Sequence, residues 1–408
     1  MKSIPLSRAS AILLLLLLLT ISPALISAQS AAAGTPSPTP LQVTPFTTTN
    51  TSPPTSSPST PCNNSPLLCT RPYNNITHMG AHDSSFLRDA STSNSIAGNQ
   101  YFNATVALSA GIRLLTAQVH TSSSDGGSLH LCHSYCGLLD AGPLTTWLSS
   151  IKYWLDTNPN EVVTLILVNS DNQPASAFGS DFDASGISSY GYVPGTSNTS
   201  STSWPTLQSM ISSNKRLVTF IASITASPSD YPFLLPEFQY VFETPYNITA
   251  ASQFQCQLDR PSSAGTAAKA IQSGLLPLIN HFQYIDLGSG VQIPDASDAD
   301  ATNSPGSNAA GNLGKHLQQC QGEWNSQTQQ QNQNQKPVFA LVDFFDRGPS
   351  VEAADLMNGL SADQVVGRVK PSSASTSSAA AAGKDGVGGA SVPVVALVGF
   401  LGVALLLL

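Results

Sequence analysis

The stretch Asn75-Ile-Thr-His-Met-Gly-Ala-His-Asp-Ser-Ser-Phe86 decides how the rest of this 408-residue chain is interpreted. Residues 76–81 have the pattern of a short buried strand, and His82 and Asp83 follow it directly. Small residues before a polar pair let the backbone turn tightly and leave room for a ligand. We therefore expect the strand to present His82 and Asp83 to a site.

A second short segment of alternating pattern, Leu129-His-Leu-Cys-His133, also ends on a histidine. Imidazole titrates close to neutral pH, and in parallel α/β barrels the carboxyl ends of the strands carry the site. His82 and His133 at the ends of two early strands therefore indicate acid/base chemistry at one mouth of a barrel. Either histidine by itself would more often be structural, so the interpretation depends on the matching positions of the two.

Strand-like apolar runs alternate with helical patterns through the middle of the chain. The predicted strands are residues 76–81, 112–119, 129–131, 162–168, 217–221, 240–242, 275–279 and 338–345. Helical patterns are found at residues 101–110, 144–155, 207–211 and 351–360. This alternation predicts one large α/β domain, a distorted (β/α)8 barrel of the TIM type, with a doubly wound open sheet as the alternative. No glycine-rich phosphate-binding pattern follows the first strand, which favours the barrel.

Residues 283–335 are mostly polar, and we predict mostly loop for them. Asp295, Asp298 and Asp300 in this segment could bind calcium. Their spacing lacks the glycine and the final glutamate of a calcium-binding loop, which favours a solvated loop instead.

The beginning of the chain resembles an export signal. Lys2 and Arg8 precede an unbroken apolar run at residues 12–19, so residues 1–28 have the organisation of a secretory signal peptide. The Ser/Thr/Pro-rich residues 29–61 cannot bury a core and are predicted to form a disordered stalk.

At the other end, residues 372–391 form a Ser/Ala/Gly-rich linker and residues 392–408 are apolar to the last position. Small residues, a spacer and an apolar tail are typical of a signal for a glycosylphosphatidylinositol (GPI) anchor, attached at Gly383 or a neighbour. A plain C-terminal membrane helix is the alternative. These boundaries leave residues 62–371 for the folded domain and place it on the extracellular face of the plasma membrane or in the cell wall.

The composition agrees with export. Only 10% of the residues are charged and the net charge is −8, so the chain offers no basic surface for nucleic acid. We expect the protein to act as a monomer. Glycosylation sequons occur at Asn50, Asn75, Asn103, Asn198 and Asn247, with a weaker one at Asn63.

Six cysteines in an exported chain indicate disulfides. Proximity in the sequence favours Cys62–Cys69 and Cys132–Cys136, which leaves Cys256–Cys320, although six cysteines allow fifteen pairings. A zinc site is the alternative, since His130 and His133 lie beside the second pair. An oxidising compartment disfavours the thiolates that such a site needs.

Further polar residues occupy the predicted carboxyl ends of strands. They are Gln118, His120, Asn169, Asp171, Asn280, His281, Asp343 and Asp346. The absence of a Gly-x-Ser-x-Gly motif disfavours a serine hydrolase, and no pair of glutamates indicates a glycosidase. Two histidines can divide the work on a phosphodiester, because one accepts a proton from the attacking hydroxyl while the other protonates the leaving oxygen.

Four motifs occur together in the order and approximate spacing of a known family. They are Ile76-Thr-His-Met-Gly-Ala-His-Asp-Ser84, Gly111-Ile-Arg-Leu-Leu-Thr-Ala-Gln-Val-His120, Leu129-His-Leu-Cys-His133 and Trp154-Leu-Asp-x-Asn-Pro-Asn-Glu-Val-Val-Thr-Leu165. Over residues 62–360 the chain resembles the phosphatidylinositol-specific phospholipase C-like phosphodiesterases, in their secreted, metal-independent form. The resemblance implies a distorted (β/α)8 barrel.

The resemblance also implies roles for individual residues. His82 would be the general base, oriented by Asp343, and His133 would be the general acid, supported by Asp83. We also expect substrate contacts from residues at predicted strand ends, Asn169, Asp171 and His281, and from two residues of the second motif, Arg113 and Gln118. The implied substrate is an inositol phospholipid or a related phosphodiester. Attack of the inositol 2-hydroxyl on phosphorus would release diacylglycerol and a cyclic inositol phosphate.

The second strand departs from the family pattern. Where the family usually has Arg-x-Leu-Asp-x-Arg, this chain has Arg113-Leu-Leu-Thr116-Ala-Gln118, so that Gln118 replaces an arginine that would neutralise the phosphate. Loss of that guanidinium removes several kcal/mol of transition-state stabilisation. Relatives that need magnesium or calcium place carboxylates on this strand, so we expect no metal and no other cofactor. Arg113 lies early in the strand, which favours a structural ion pair over substrate contact for this residue.

Three functions follow as alternatives. The first is a cell-surface phosphodiesterase, held by the GPI anchor, that acts on inositol phospholipids or their glycosylated relatives. The second is a barrel that has lost efficient catalysis and serves as a surface binding or wall protein, which would explain the missing arginine. The third is a phosphodiesterase for a head group other than inositol. Under the enzyme hypotheses, Gln118→Arg is expected to leave activity unchanged or to raise it.

Overall fold

The computed structural model describes residues 60–195, 203–328 and 335–371. The predicted signal peptide, nearly all of the stalk, the linker, Gly383 and the apolar tail lie outside the described residues, as do Asn50 and Asn198. Within the described ranges, no helix is both long and apolar enough to cross a membrane.

Strands and helices alternate along the described ranges. The strands are β1 (His78–Ala81), β2 (Leu114–Thr121), β3 (Leu129–Cys132), β4 (Asp140–Pro143), β5 (Val163–Asn169), β6 (Leu217–Ala222), β7 (Leu234–Pro236), β8 (Val241–Glu243), β9 (Leu276–Asn280), β10 (Tyr284–Asp286), β11 (Gln292–Pro294) and β12 (Phe339–Val342). The helices are α1 (Ala104–Ala110), α2 (Leu144–Thr157), α3 (Ala175–Ser185), α4 (Leu207–Ser212), α5 (Ala267–Gln272), α6 (Ala299–Thr302), α7 (Leu313–Thr328) and α8 (Ser350–Met357).

Eight parallel strands form one continuous sheet in the order β7-β6-β5-β2-β1-β12-β9-β8. The rings of Phe220 on β6 and Phe339 on β12 are 6.2 Å apart between centroids, although four strand spacings separate these strands along the sheet. In a flat sheet the two strands would be about 19 Å apart. The sheet is therefore curled, and the predicted (β/α)8 fold is confirmed over the open-sheet alternative. Within the described residues no ladder joins β7 to β8, which is where the barrel is distorted.

The predicted third strand is not part of the barrel. β3 pairs antiparallel with the outer end of β2, and β4 pairs antiparallel with β3. This ribbon turns the chain back, so that Ser134, next to His133, is hydrogen-bonded to Gln118 on β2. The barrel strand that the sequence failed to reveal is β7, whose three residues give no periodic signal. Local alternation predicts a strand but not its partner, which explains the error.

The prediction of mostly loop for residues 283–335 is wrong. The segment contains the β10–β11 hairpin, α6 and the 16-residue helix α7. Glutamines and other polar residues at the solvent-facing positions of α7 obscured its helical pattern. Its buried face has the helical spacing of three and four residues, and includes Leu313, Leu317, Cys320 and Trp324.

The three aspartates of this segment have local roles. Asp295 Oδ1 accepts a hydrogen bond from the N–H of Ser297, and Asp300 Oδ1 accepts one from the N–H of Gly348, both at 2.9 Å. Asp298 occupies the N-cap position of α6. These are the roles of turn and helix-end residues. The expected solvated loop is not what the structure shows, because Asp295 is buried and the other two aspartates belong to the start of α6.

All three predicted disulfides are present, at Cys62–Cys69, Cys132–Cys136 and Cys256–Cys320. The zinc alternative required Cys132 and Cys136 as thiolates, and their oxidation to a disulfide removes those ligands. The same bridge closes the short loop that carries His133.

Alternation along the barrel strands sorts side chains between two cores. On β2, Leu114 belongs to the core cluster inside the barrel, whereas Leu115 packs in the cluster between the sheet and the helices. Gly80 on β1 faces the inner cluster, where a Cβ would lie 2.6 Å from Leu341 and 2.9 Å from Leu114. Two leucines therefore fill the space beside Gly80, and the expectation that this glycine leaves room for a ligand is wrong.

Arg113 lies before β2, at the end of the barrel away from His82. Its Nε and Nη2 donate to Glu161 Oε2 at 2.8 and 2.5 Å, and its Nη1 donates to the carbonyls of Leu108 and Ile112 at 2.7 Å. Arg113 and Glu161 are both buried. The predicted substrate contact of Arg113 is therefore wrong, and the structural ion pair is the correct alternative.

Replacing Arg113 by methionine is expected to lower the free energy of unfolding by about 3–5 kcal/mol, because the Glu161 carboxylate is left buried without its partner. Urea denaturation followed by intrinsic fluorescence measures the change. The matched control is Lys370→Met, since the ion pair of Lys370 with Glu352 is exposed and contributes little. Unchanged stability of Arg113→Met would contradict the structural role.

Candidate active site

The carboxyl end of β1 is held by both neighbouring strands. The N–H of His82 donates to the carbonyl of Val342 on β12 at 2.9 Å, and the N–H of Asp83 donates to Thr116 Oγ1 on β2 at 2.8 Å. Asp83 has a φ of 44°, a left-handed conformation that a residue other than glycine adopts only with such support. Thr116 thus supplies an uncharged acceptor where the family pattern has aspartate.

His82 forms a hydrogen-bonded pair with Asp343, which directly follows β12. Nδ1 of His82 lies 2.9 Å from Asp343 Oδ1, and the side-chain amide of Asn99 donates to the same oxygen at 3.0 Å. The ring of Phe282 stacks on the imidazole, with 3.8 Å between centroids and 5° between planes. A carboxylate on Nδ1 keeps the proton on that nitrogen in the neutral ring, so Nε2 is the atom left to exchange a proton.

His133 reaches the same place from the ribbon. Its Nε2 lies 3.7 Å from Asp83 Oδ2, and Nε2 of His82 lies 3.6 Å from that same oxygen. The ring of Phe86 packs edge-on against His133, with 5.0 Å between centroids. The structure therefore brings His82, Asp83, His133 and Asp343 together, with both proton-exchanging nitrogens beside one carboxylate oxygen.

The two histidines have opposite pKa shifts. Burial lowers the pKa of His82, but the negative charges of Asp83 and Asp343 outweigh this effect, so that the pKa is raised above its ordinary value. Burial also lowers the pKa of His133, and here the charge of Asp83 does not compensate, so that the pKa is below its ordinary value. Of the two rings, His82 therefore binds a proton more tightly than His133.

Gln118 uses both of its polar atoms inside this group. Its Nε2 donates to Asp83 Oδ2 at 2.8 Å, and its Oε1 accepts a hydrogen bond from the N–H of Ser134 at 2.9 Å. The residue that replaces the family arginine is thus hydrogen-bonded to the protein at both ends of its amide.

His120 and Asp171 form a separate pair farther along β2. Nδ1 of His120 lies 3.0 Å from Asp171 Oδ1, and the other oxygen of Asp171 accepts hydrogen bonds from Thr121 N and Oγ1 at 2.7 Å. Asp171 therefore holds the end of β2 to the turn after β5. Its predicted substrate contact has no support in this geometry.

Two other predicted substrate contacts are satisfied within the protein. The amide of Asn169 donates to the carbonyls of Gln173 and Ser223 and fixes the turn after β5. His281 is fully buried, and its Nδ1 lies 2.9 Å from Nδ1 of His316. Neither side chain is available to a substrate, and both predictions are wrong.

The alternation of side chains along β9 could have shown which residues near His281 face the barrel interior. Leu276 and Leu278 belong to the inner cluster, so a period of two directs Asn280 and Phe282 to the barrel interior and His281 outward. Phe282, missed in the sequence, stacks on His82. Asn99 was also missed, because it lies in a loop where no periodicity marks it.

A second polar group at the mouth was missed as well. Glu243 Oε2, at the end of β8, accepts hydrogen bonds from Arg260 Nη2 at 2.5 Å and from Asn280 Nδ2 at 3.0 Å. Burial and the charge of Glu243 raise the pKa of the neighbouring Glu237 well above its usual range, whereas the pKa of Glu243 is lowered because the charge of Arg260 and the hydrogen bonds to Glu243 outweigh burial. The charge of Glu243 also helps to raise the pKa of His82, which places this group near the histidine pair.

The chain is similar to several known proteins. Residues 68–358 match the family model described as PI-PLC X 1. The PI-PLC X domain-containing protein 1 of Arthroderma benhamiae is 35% identical over 300 residues, which cover 73% of this chain and 90% of the relative. An uncharacterized secreted protein of the same fungus is 32% identical over 291 residues, which cover 71% of this chain and 61% of that protein. The solved phosphatidylinositol-specific phospholipase C of Listeria monocytogenes is 16% identical over 73% of this chain and 98% of its own, with a TM-score of 0.46.

The protein is thus an α/β barrel with a pair of carboxylate-bound histidines at its mouth. From the family match and the first of these relatives, the chain belongs to the PI-PLC X domain family.

Proposed function

We propose that the protein is a phosphoric diester hydrolase that cleaves an inositol phospholipid or a related phosphodiester, with His82 and His133 as its acid/base pair. The observation that carries this proposal is the position of both Nε2 atoms beside Asp83 Oδ2, at 3.6 and 3.7 Å. Two ring nitrogens so close together can serve the two ester oxygens of one phosphate. His82, with Asp343 on its Nδ1, has the form of a general base held by a carboxylate.

The pair works when it holds one proton. Since the pKa of His82 is raised and the pKa of His133 is lowered, catalysis with His82 as base uses the less populated form, in which His133 carries the proton. In that form His82 is a stronger base, because its raised pKa makes it bind a proton more tightly. His133 is a stronger acid, because its lowered pKa makes it release a proton more readily. Activity then follows a bell-shaped pH profile between the two pKa values.

The charge of the site supports a diester as substrate. Carboxylates surround His82, and Gln118 stands where the family has a phosphate-binding arginine. A protonated imidazole then supplies the positive charge for the phosphate. One such charge suits the single negative charge of a phosphodiester better than the two charges of a phosphomonoester.

The group around Glu243 supports a polyhydroxyl head group. Glu243 accepts hydrogen bonds, Asn280 and Arg260 donate them, and the Arg260 side chain is 40% exposed at the mouth. Arg260 Nε has no hydrogen-bond partner among the described residues. Fixed donors and acceptors of this kind recognise hydroxyl groups.

Exposed apolar side chains around the mouth support a lipid substrate. They lie in loops that follow strands at this end of the barrel and are between 42% and 57% exposed, and they include Ile96, Tyr135, Leu138, Tyr246, Leu287 and Val291. Apolar side chains around a site allow a protein to lie against a lipid layer.

We also propose that the protein is secreted, glycosylated and held by a GPI anchor. Three disulfides are typical of exported proteins, and one relative is named as secreted. The sequon residues Asn75, Asn103 and Asn247 are exposed, whereas Asn63 is buried. Mass spectrometry of the cell-surface protein tests the anchor, since recovery of an intact peptide from residues 392–408 would exclude it.

Incubation of the purified protein with micelles of phosphatidylinositol tests the activity. We expect diacylglycerol and a cyclic inositol phosphate, detected by phosphorus NMR, and no effect of a chelator, because the second strand has Thr116 and Gln118 where metal-dependent relatives have carboxylates. Phosphatidylcholine serves as the control for head-group choice. Background turnover on every diester tried would favour a surface binding protein instead.

A further inference from the structure

The hydrogen bonds of Gln118 indicate a structural role for this residue. The sequence suggested only that an arginine is missing at this position. The donor side of its amide is bonded to Asp83, and its acceptor side is bonded to the backbone of Ser134. Ser134 directly follows His133, so one side chain on β2 joins the carboxylate between the two histidines to the loop that carries the second histidine.

We propose that Gln118 is a positioning residue that holds His133 and Asp83 in register with His82, rather than a ligand of the substrate phosphate. The proposal rests on the proposed function for its catalytic consequence, but the geometry that it predicts can be measured without turnover.

The loop that carries His133 needs such a tether. It is closed by the Cys132–Cys136 disulfide, and the N–H of His133 donates to the carbonyl of Leu139 at 3.0 Å. Ser134 has a φ of 61°, in the left-handed region, and its N–H is the group that Gln118 accepts. Loss of that acceptor leaves a strained residue beside His133 without its anchor to the barrel.

The bond to Asp83 acts on the charge between the histidines. Asp83 is only 3% exposed, so an amide donor on its Oδ2 is not replaced readily by solvent. The amide of Gln118 donates to the same Asp83 oxygen that lies near the Nε2 atoms of His82 and His133. The hydrogen bond partly neutralises that oxygen and so limits how far Asp83 raises the pKa of either ring.

These contacts reverse the expectation for Gln118→Arg. Arginine offers donors to Asp83 but has no acceptor for the N–H of Ser134. The substitution that would restore the family pattern is therefore expected to lower activity in this chain.

Two substitutions separate the two bonds. Gln118→Met removes both, whereas Gln118→Glu keeps an acceptor for Ser134 and puts a second carboxyl group beside Asp83 in place of the amide donor. We expect Gln118→Met to lower kcat roughly 100-fold with KM within about threefold of wild type, as misplacement of a reacting group does. Gln272→Met, an exposed glutamine on α5, is the matched control.

NMR of the same variants tests the two hydrogen bonds of Gln118 without any turnover, through hydrogen exchange at the Ser134 amide and the titration of both histidines. Hydrogen exchange at the Ser134 amide should be faster in Gln118→Met and close to wild type in Gln118→Glu. The pKa values of both histidines should rise in both variants, because Asp83 loses a donor. If KM rises more than about tenfold while kcat and both histidine pKa values stay unchanged, Gln118 is a phosphate ligand and the proposal is overturned.

Unchanged exchange at Ser134 in Gln118→Met would also overturn it. A wild-type protein without activity would refute the proposed function, yet the exchange and titration measurements would still decide whether Gln118 holds the loop.

Discussion

Replacing His82 by alanine is expected to reduce phosphodiester cleavage on the order of 10⁴-fold. The substitution removes the proposed base, so that no group remains beside His133 to take the proton of the attacking hydroxyl. His82 has direct contacts with Asp343 and with the ring of Phe282, so the substitution leaves an open slot between a carboxylate and an aromatic face. Turnover of phosphatidylinositol by wild-type and variant protein measures the effect.

The slot provides the control against a merely misfolded variant. Free imidazole can enter between Phe282 and Asp343, and we expect it to restore part of the activity of His82→Ala in a concentration-dependent way. A circular dichroism melt shows whether the barrel is intact. If His82→Ala keeps the turnover of the wild type, His82 is not the catalytic base.

Replacing Asp343 by asparagine is expected to lower kcat/KM on the order of 10²–10⁴-fold and to move the pH profile. Asp343 is buried, and its charge is one of the causes that raise the pKa of His82. Without this charge the imidazolium is less stable, so the pKa of His82 falls. The alkaline limb of the profile belongs to the group of higher pKa, and it should therefore move to lower pH.

The acid limb belongs to His133 and should change less, because Asp83 is the nearer carboxylate to that ring. The matched control is Asp346→Asn, a residue of the same loop whose partner is Arg347 at 3.6 Å. It should keep the wild-type profile. An alkaline limb that stays in place in Asp343→Asn would show that the charge of Asp343 does not set the pKa of His82.

Much of the fold was predictable because it depends on local patterns. Continuous apolar strands separated by amphipathic helices require a parallel sheet covered on both faces, and eight such runs fit a barrel. The errors came where local patterns are weak or misleading. β7 is too short to show a period, α7 is mostly polar, and β3 has a strand pattern without being a barrel strand.

Part of the site was predictable, because the alternation of side chains along a strand shows which residues at its end face the barrel interior. Side chains two residues apart on a strand point to the same face of the sheet. The inward-facing residues Gly80 on β1, Leu114 on β2 and Leu341 on β12 therefore predict that His82, Gln118 and Asp343 also face inward. The same rule directs Arg113, Asn169 and His281 away from the interior. Asn169 and His281 were chosen because they stand near the ends of strands, without regard to this parity, and both predicted substrate contacts are wrong.

The sequence by itself thus predicted the type of fold, favoured the disulfide pairs that are observed and singled out His82 and His133, since each of these depends on residue type and spacing along the chain. Only the tertiary structure decided that the ribbon after β2 folds back to place His133 beside Asp83, and that Gln118 joins the two. The direction of each histidine pKa shift was decided there as well, because it depends on burial and on the charges of Asp83 and Asp343, which follow different strands. The pairing of strands, the path of loops that fold back on the sheet and the electrostatic interactions at the site all depend on contacts between residues far apart in the chain. No local sequence pattern encodes such contacts.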